Sequence, residues 1–288
     1  MAKTRIDWAD ETVNFATGCH GPRGHRCRYC YAERMAHRFS FIEGSVYRRV
    51  GLRAPMIAGG PCGGTAGDNF HPAFHWDVYQ RELDRLRRAR RPRRVFVGSM
   101  GDMCFEGDAL CFARDGNDSG GRMPTLGVQV ATAEFAGRVE EAGHTVLLLT
   151  KRPDLLNNIV GWPANAHLGV SVAGNNDAGR ITELQVALRN VLRPVWPTVL
   201  WASVEPLLGD LDPEALLGLD WVVVGLDSRV RPWRFAETLP RDLWRNRLRR
   251  IRDWCQDHGM PLFCKGSVRA AFQDEDWPQE YPTIARTK

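Results

Sequence analysis

The chain has 288 residues, 43% of them hydrophobic and 25% charged, and 39 Lys and Arg against 34 Asp and Glu leave a formal charge of +5. This is the balance of a globular enzyme with a well-developed core, so a single catalytic domain over 1–288 is expected. No apolar run approaches the roughly 20 residues that cross a bilayer. The opening MAKTRIDWADETVNF lacks the apolar centre of an export signal, so a cytoplasmic protein with reduced thiols is expected rather than a disulfide framework or a membrane protein.

The first chemically distinctive segment is GCHGPRGHRCRYCYAERMAHRF, in which Cys19, Cys27 and Cys30 are separated by seven and then two residues. Three thiolates can hold a [4Fe-4S] cluster and leave one iron without a protein ligand, which is the open corner a cluster needs to act on a bound molecule. A zinc site is the competing reading, because His20 and His25 lie inside the same loop and either offers a fourth ligand.

Beyond that loop, 39–75 is rich in Gly and Pro and 103–126 is likewise irregular, so both read as accessory insertions. The intervening RELDRLRRARRPRRV at 81–95 concentrates arginine, either as a phosphate-binding patch or as a solvated helix face. Short apolar runs at 95–99, 145–149, 167–172, 198–203, 221–225 and 260–264 predict strands, and helices are expected over 131–142, 153–160, 180–190 and 238–257. Such alternation is an α/β plan with a mainly parallel sheet of about six strands. The polar turns GSMGD, TKRPD, EPLL and GLDS all follow strand candidates, which gathers them at the carboxyl ends of the strands, where parallel sheets bind ligands.

Several residues at those exits carry chemistry by type. Asp102 offers an acceptor for an ammonium or a cap for a tight turn, and Lys151 and Arg152 offer cations for a carboxylate or phosphate. Glu205, fixed by Pro206, is a carboxylate near the opening or half of a salt bridge; Ser171 and Asn175 are polar candidates on the preceding strand and loop. Cys62, Cys104 and Cys111 form a second sulfur set that reads as an auxiliary cluster, a zinc site or separate buried thiols, whereas Cys255 and Cys264 read as packing residues. The tail 277–288 is expected to wrap the barrel, and Trp196, Trp201 and Trp221 to pack its core.

The segment CRYCYAERMA resembles the cluster loop of the radical S-adenosylmethionine superfamily, with Tyr29 at the aromatic position before the last cysteine; seven residues instead of three separate the first two cysteines. The resemblance extends, toward an uncharacterised phage-associated family, through VFVGSMGDMC, LLTKRPD, VEPLLG and DWVVVGLDS. It implies an incomplete (β/α) barrel, a [4Fe-4S] cluster on Cys19, Cys27 and Cys30, and S-adenosylmethionine chelated at the open iron and cleaved by an electron from a reductant such as flavodoxin or ferredoxin. The product would be a 5'-deoxyadenosyl radical that takes a hydrogen atom from substrate.

The same resemblance implies cofactor contacts from Gly98, Ser99, Met100 and Asp102 toward the methionine amino group, from Lys151 or Arg152 toward its carboxylate, and from Ser171, Asn175 and Glu205 toward the nucleoside. Cys104, Lys151 and Glu205 are the candidate catalytic residues, Cys104 as a hydrogen-atom donor. In the turn LDSRVRP, Leu226 and Asp227 depart from the related family's pattern, while Ser228 and Arg229 stay candidates for substrate or adenine contact. The CRYCY loop also resembles that of radical enzymes repairing spore DNA photoproducts, which directs the expected substrate toward a nucleobase, nucleotide or nucleic acid. A peptide or small-metabolite substrate, or a zinc-stabilised nucleic-acid binder, are the competing functions.

Overall fold

The computed structural model describes residues 6–22, 27–53, 68, 70–113, 118–158, 162–189, 199–226 and 241–282. Seven strands, β1 (Glu11–Val13), β4 (Arg94–Val97), β7 (Thr145–Thr150), β8 (Ala166–Val172), β9 (Leu200–Val204), β10 (Trp221–Val224) and β11 (Leu262–Cys264), lie side by side in that order, all parallel. The sheet is curled into an incomplete (β/α) barrel. All six expected strands are present, and the seventh is β1, a three-residue edge strand that pairs Thr12 with Phe96.

Strand side chains alternate between the two faces of a sheet, and the alternation here separates two kinds of core. Val95, Val97, Val146, Leu148, Leu168, Val170, Ala202 and Val222 pack with the helices α3 (Trp76–Arg87), α4 (Thr125–Glu140), α5 (Gly179–Arg189) and α6 (Arg241–Asp257). The opposite, inward face carries Phe96, Leu147, Trp201, Trp221, Val223 and Phe263, which close around Trp8 from the segment before β1. Ring centroids of Trp8 lie 4.7 Å from Phe96 and 5.0 Å from Trp201. Gly169 makes the room: a Cβ there would stand 2.4 Å from the Trp201 ring.

Described residues near both ends of the chain pack around this base. Tyr281 packs on Trp221 and Phe263 and lies beneath the Arg94 guanidinium, so the described part of the tail does wrap the barrel. Across the lateral gap between the sheet edges, the Gly266 amide, which opens the helix α7 (Gly266–Ala271), donates to the Asp7 carboxylate at 2.6 Å.

The described parts of the insertions hold regular elements that their composition does not suggest. β2 (Ala16–Thr17), β3 (Ala73–His75), β5 (Asp108–Phe112) and β6 (Asp118–Pro124) form a second, four-stranded sheet, and α1 (Tyr31–Phe39) and α2 (Val46–Arg53) precede β3. In that sheet His75 is buried against Phe112, with Nε2 3.0 Å from the Thr17 hydroxyl, and burial holds its imidazolium down to about 3. Two expected helices change: 131–142 begins earlier, at Thr125, and 153–160 is a 3-10 turn over Pro153–Asn158. The arginine-rich stretch is split between the end of α3 and the start of β4, which places exposed Arg87, Arg88, Arg90 and Arg91 at the amino end of the parallel sheet. No described helix is long and apolar enough to cross a membrane.

Candidate metal centre and active face

The cysteine loop is fastened over the carboxyl ends of β1 and β4. Gly18 and Gly101 form a parallel bridge, with the Gly18 amide donating to Met100 O and the Asp102 amide to Gly18 O at 3.0 and 3.1 Å. Only glycine fits at the first position, since its φ is +81° and a Cβ would stand 2.2 Å from the His71 carbonyl oxygen. Cys19 follows directly, and its amide donates to Phe70 O.

Cys30 ends the loop as the N-cap of α1. Its sulfur accepts the Glu33 amide at 3.4 Å, and the Cys19 sulfur accepts the Gly21 amide at 3.0 Å. Both cysteines pack against one apolar cluster of Ala32, Ala36, Tyr47, Phe70 and Met100. Burial pushes the Cys19 thiol up to about 12, with Asp102 adding to the rise, while the Gly21 N–H and the Lys151 ammonium pull it down. The Cys30 thiol is raised by burial and pulled down by the Glu33 N–H and Lys151. Cys19 lies in the field of Cys30, and Cys30 in that of Cys27, so all three thiols share one electrostatic neighbourhood.

This donor set fits an iron-sulfur cluster. Thiolates must replace thiols on metal binding, and N–H groups on sulfur, a helix N-terminus and a nearby ammonium all favour that form. Among the described residues no three His, Cys, Asp or Glu side chains converge so as to hold a single metal ion. Residues 23–26, including His25, lie outside the described residues, as do Cys62, Asp227, Ser228 and Arg229.

The remaining candidates divide according to what already occupies them. The Asp102 carboxylate accepts from the Cys104 amide, the Thr150 hydroxyl and the Lys151 amide at 3.0, 2.8 and 2.9 Å, so it clamps the turn after β4 to the end of β7. Most of its acceptor capacity is therefore spent inside the chain. The turn itself is tied down likewise: Asn14 Oδ1 accepts from the Ser99 hydroxyl and the Met100 amide, and Ser99 O accepts from the Tyr31 hydroxyl. Gly98 faces open space, at φ +84°.

Arg152, expected near a cofactor carboxylate, is taken up by Asp154 at 2.8 Å and Glu106 at 2.9 Å. Lys151 forms no ion pair among the described residues, and its ammonium lies 5.6 Å from the centre of the Tyr29 ring. Cys104 is buried in the helix-facing core, where its sulfur accepts from Gln129 Nε2 at 3.2 Å; that is a packed thiol, not one on the open face. Cys255 and Cys264 are buried as expected, and burial pushes each thiol up to about 12.

On the far side of the mouth Glu205 is half of a salt bridge, with Lys265 at 2.5 Å. Gly225 leaves the space, since a Cβ there would stand 2.9 Å from Lys265 Cδ and 3.0 Å from Glu205 Cδ. Glu205 also reaches the Tyr31 hydroxyl electrostatically and, after burial, is the main influence holding that phenol in its neutral form. Ser171 is buried beside its register partner Ser203, with its hydroxyl 3.5 Å from Glu205 O. Asn175 lines a cleft of about 560 Å³ together with Tyr29, Gly174, Asp177, Leu208 and Asp210.

The structure thus brings Cys19, Cys30, Lys151, Tyr31 and the Glu205–Lys265 pair to one opening, with Asn175 in an adjoining cleft at Tyr29. Asn14, Tyr31, Ser203 and Lys265 were not singled out by their sequence context. Only Tyr31, next to a cysteine, had a local signal that could have marked it.

A protein-family model described as "Protein of unknown function (DUF5131)" matches residues 3–111 and 128–274. No curated protein matches the chain. Among solved structures, a spore photoproduct lyase complexed with dinucleoside spore photoproduct is similar at 12% identity, covering 91% of this chain and 78% of that one, with a TM-score of 0.48. A double mutant of spore photoproduct lyase with bound AdoMet and dinucleoside spore photoproduct is similar at 11% identity, 91% and 78% coverage, and a TM-score of 0.47. Likeness at this level says nothing about the reaction of this chain.

Proposed function

The chain belongs to that family of unknown function, whose description names no activity, and from its own residues we propose that it is a radical S-adenosylmethionine enzyme modifying or repairing a nucleobase or nucleic acid. The observation that carries the reading is the thiol set Cys19, Cys27 and Cys30 at the carboxyl-end opening of a parallel half barrel, beside Lys151, which has no ion pair among the described residues. When bound, a [4Fe-4S] cluster with S-adenosylmethionine supplies one-electron cleavage of the sulfonium and a 5'-deoxyadenosyl radical that takes hydrogen from substrate.

The chain's own residues bind, orient and exclude water. Cys19, Cys27 and Cys30 would hold three irons, and Lys151 is placed to attract the cofactor's carboxylate without acting as an acid or base. The cleft at Tyr29, Asn175 and Leu208 has the size of a ligand site and suits a nucleoside, with polar groups on an otherwise small-residue wall. Glu205 and Lys265 present both charge signs at the mouth, where they can orient a polar substrate. The apolar base beneath keeps solvent from entering through the barrel floor.

The nucleic-acid part of the reading rests on the CRYCY resemblance. The arginine-rich 81–95 segment does not add to it, because its exposed arginines lie at the sheet end away from the cysteines. Anaerobic reconstitution with iron and sulfide tests the reaction class: reductant-dependent formation of 5'-deoxyadenosine from S-adenosylmethionine is expected. Tight zinc binding with no cleavage would leave a zinc-stabilised binder instead. Deuterium transfer from labelled oligonucleotide, and not from peptide or metabolite pools, into 5'-deoxyadenosine is the expected result for the substrate class.

A further inference from the structure

One face of α1 is anchored and the other is bare. Ala32 and Ala36, one turn apart, are buried, and Met35 and Phe39 pack beside them against the cluster that also holds Cys19 and Cys30. The exposed positions are Tyr31, Arg34, Arg38 and then Phe41 and Ile42 just past the helix end, which is the i, i+3, i+7 spacing of a single stripe. Tyr31 is 47% exposed, Phe41 74% and Ile42 56%. Arg34 and Arg38, and Arg48 on α2 beyond the turn, are exposed and form no ion pair among the described residues. Glu43 is the one exposed acidic residue at the tip among them.

The stripe has a direction. It begins at Tyr31, whose hydroxyl is tied to Ser99 O at the cysteine opening, and it runs outward along the helix for roughly 12 Å at 1.5 Å per residue before reaching Phe41 in the following turn. Arginines one turn apart offer successive cations about 6 Å apart along the axis, and exposed rings at either end offer stacking faces. Unpaired guanidinium groups interleaved with exposed aromatic rings are the combination that tracks single-stranded nucleic acid, the cations meeting phosphates and the rings meeting unstacked bases. Phe41 and Ile42 are adjacent and form an exposed apolar tip to the stripe, with the His37 ring edge-on to Phe41 at 5.3 Å.

We infer that the exposed face of α1, from Tyr31 through Arg34 and Arg38 to Phe41, is a docking track that leads a single-stranded or locally unpaired nucleic acid to the cysteine opening. This rests on the proposed substrate class and narrows it, since a free nucleobase has no need of a track. Charge complementarity selects the occupant: the exposed Arg34 and Arg38, without an ion pair among the described residues, face a polyanion, and Phe41 adds a ring that can meet a base.

Fluorescence anisotropy with a 5'-labelled 20-nucleotide DNA single strand, its duplex and its RNA counterpart tests the inference on the reconstituted full chain. The single strands should bind more tightly than the duplex. Arg34→Glu with Arg38→Glu should weaken binding at least tenfold and lower the slope of log affinity against log salt by about 1.4, for two phosphates at roughly 0.7 each. Phe41→Ala should weaken it about tenfold with the slope unchanged. These side chains are exposed, so unchanged melting temperatures certify that the variants are folded. Affinities that do not move in any variant would overturn the track, as would loss of binding to anionic phosphatidylserine vesicles with oligonucleotide affinity intact. Wild-type protein that binds the strand but makes no 5'-deoxyadenosine would keep the track and lose the radical reading; 5'-deoxyadenosine without strand binding would do the reverse.

Discussion

The inward face of the barrel sheet is built in two ways along the same strands. At the base, Trp8, Phe96, Leu147, Trp201, Trp221 and Phe263 interlock, with Gly169 giving way to an indole. At the mouth, a few residues later, the strands end in Ser99, Lys151, Ser171, Ser203 and Glu205, with Lys265 after the last one. The base gains its stability from apolar area and ring packing. The mouth spends stability on desolvated polar groups and neutralises the cost by tying them to one another, as Asp102 does to Thr150 and the Lys151 amide. Substitutions at the two ends should therefore fail in different assays.

The sharpest break is expected at the mouth. Cys30→Ser keeps an N-cap acceptor for α1, because serine caps helices well, but it removes a thiolate. Iron content and 5'-deoxyadenosine formation should fall to background while the melting temperature stays within a few degrees; retained cluster and activity would remove Cys30 from the metal site. At the base, Trp201→Ala should cost about 3–5 kcal/mol in denaturant unfolding, and the folded fraction should still load iron. A cost below about 1 kcal/mol would mean the aromatic floor is not the stabilising layer.

Smaller effects sharpen the division. Gly169→Ala should cost about 1–3 kcal/mol by overpacking, and Trp201→Phe should relieve part of it in a double-mutant cycle; strictly additive costs would contradict the contact. His167, on β8, is buried with neither ring nitrogen hydrogen-bonded among the described residues, and burial holds its imidazolium down to about 4. Its unfolded form takes a proton near pH 6.5, so in the window between about 6.5 and 4 the unfolded state binds more protons and stability falls as pH falls. The contribution is whole above that window and declines by at most about 1.4 kcal/mol per pH unit within it. Urea midpoints at pH 7, 5.5 and 4.5 should show a shallower decline in His167→Leu than in the wild type, the rest of the slope coming from groups such as His75. At the partly buried Glu205–Lys265 pair, Lys265→Met leaves the Glu205 carboxylate without its partner and should cost about 1–3 kcal/mol in urea unfolding while altering substrate-dependent turnover.

What the sequence made legible follows from how local each signal is. The other six strands of the barrel sheet are mainly apolar runs because both faces are covered, as β8 shows with every residue buried. β1 has only Glu11, Thr12 and Val13 at an edge, too polar to announce itself, whereas the equally short β11 is apolar throughout. The second sheet joins β2 to β3 across more than fifty residues, and no periodicity in 39–75 or 103–126 encodes that pairing. At the site, the cysteine spacing is local and was readable. Asp102 was readable as an acid at a strand exit, but its commitment depends on Thr150 and Lys151, some fifty residues away. Lys265 meets Glu205 across sixty residues, and only the curl of the sheet brings them together.

The most direct test of the whole account is electron paramagnetic resonance of the anaerobically reconstituted, dithionite-reduced protein before and after adding S-adenosylmethionine. The account predicts a reduced [4Fe-4S] signal that shifts when the cofactor is added, with a cluster carried by Cys19, Cys27 and Cys30. A chain that takes up zinc in place of a cluster, or a cluster signal indifferent to S-adenosylmethionine, would contradict it.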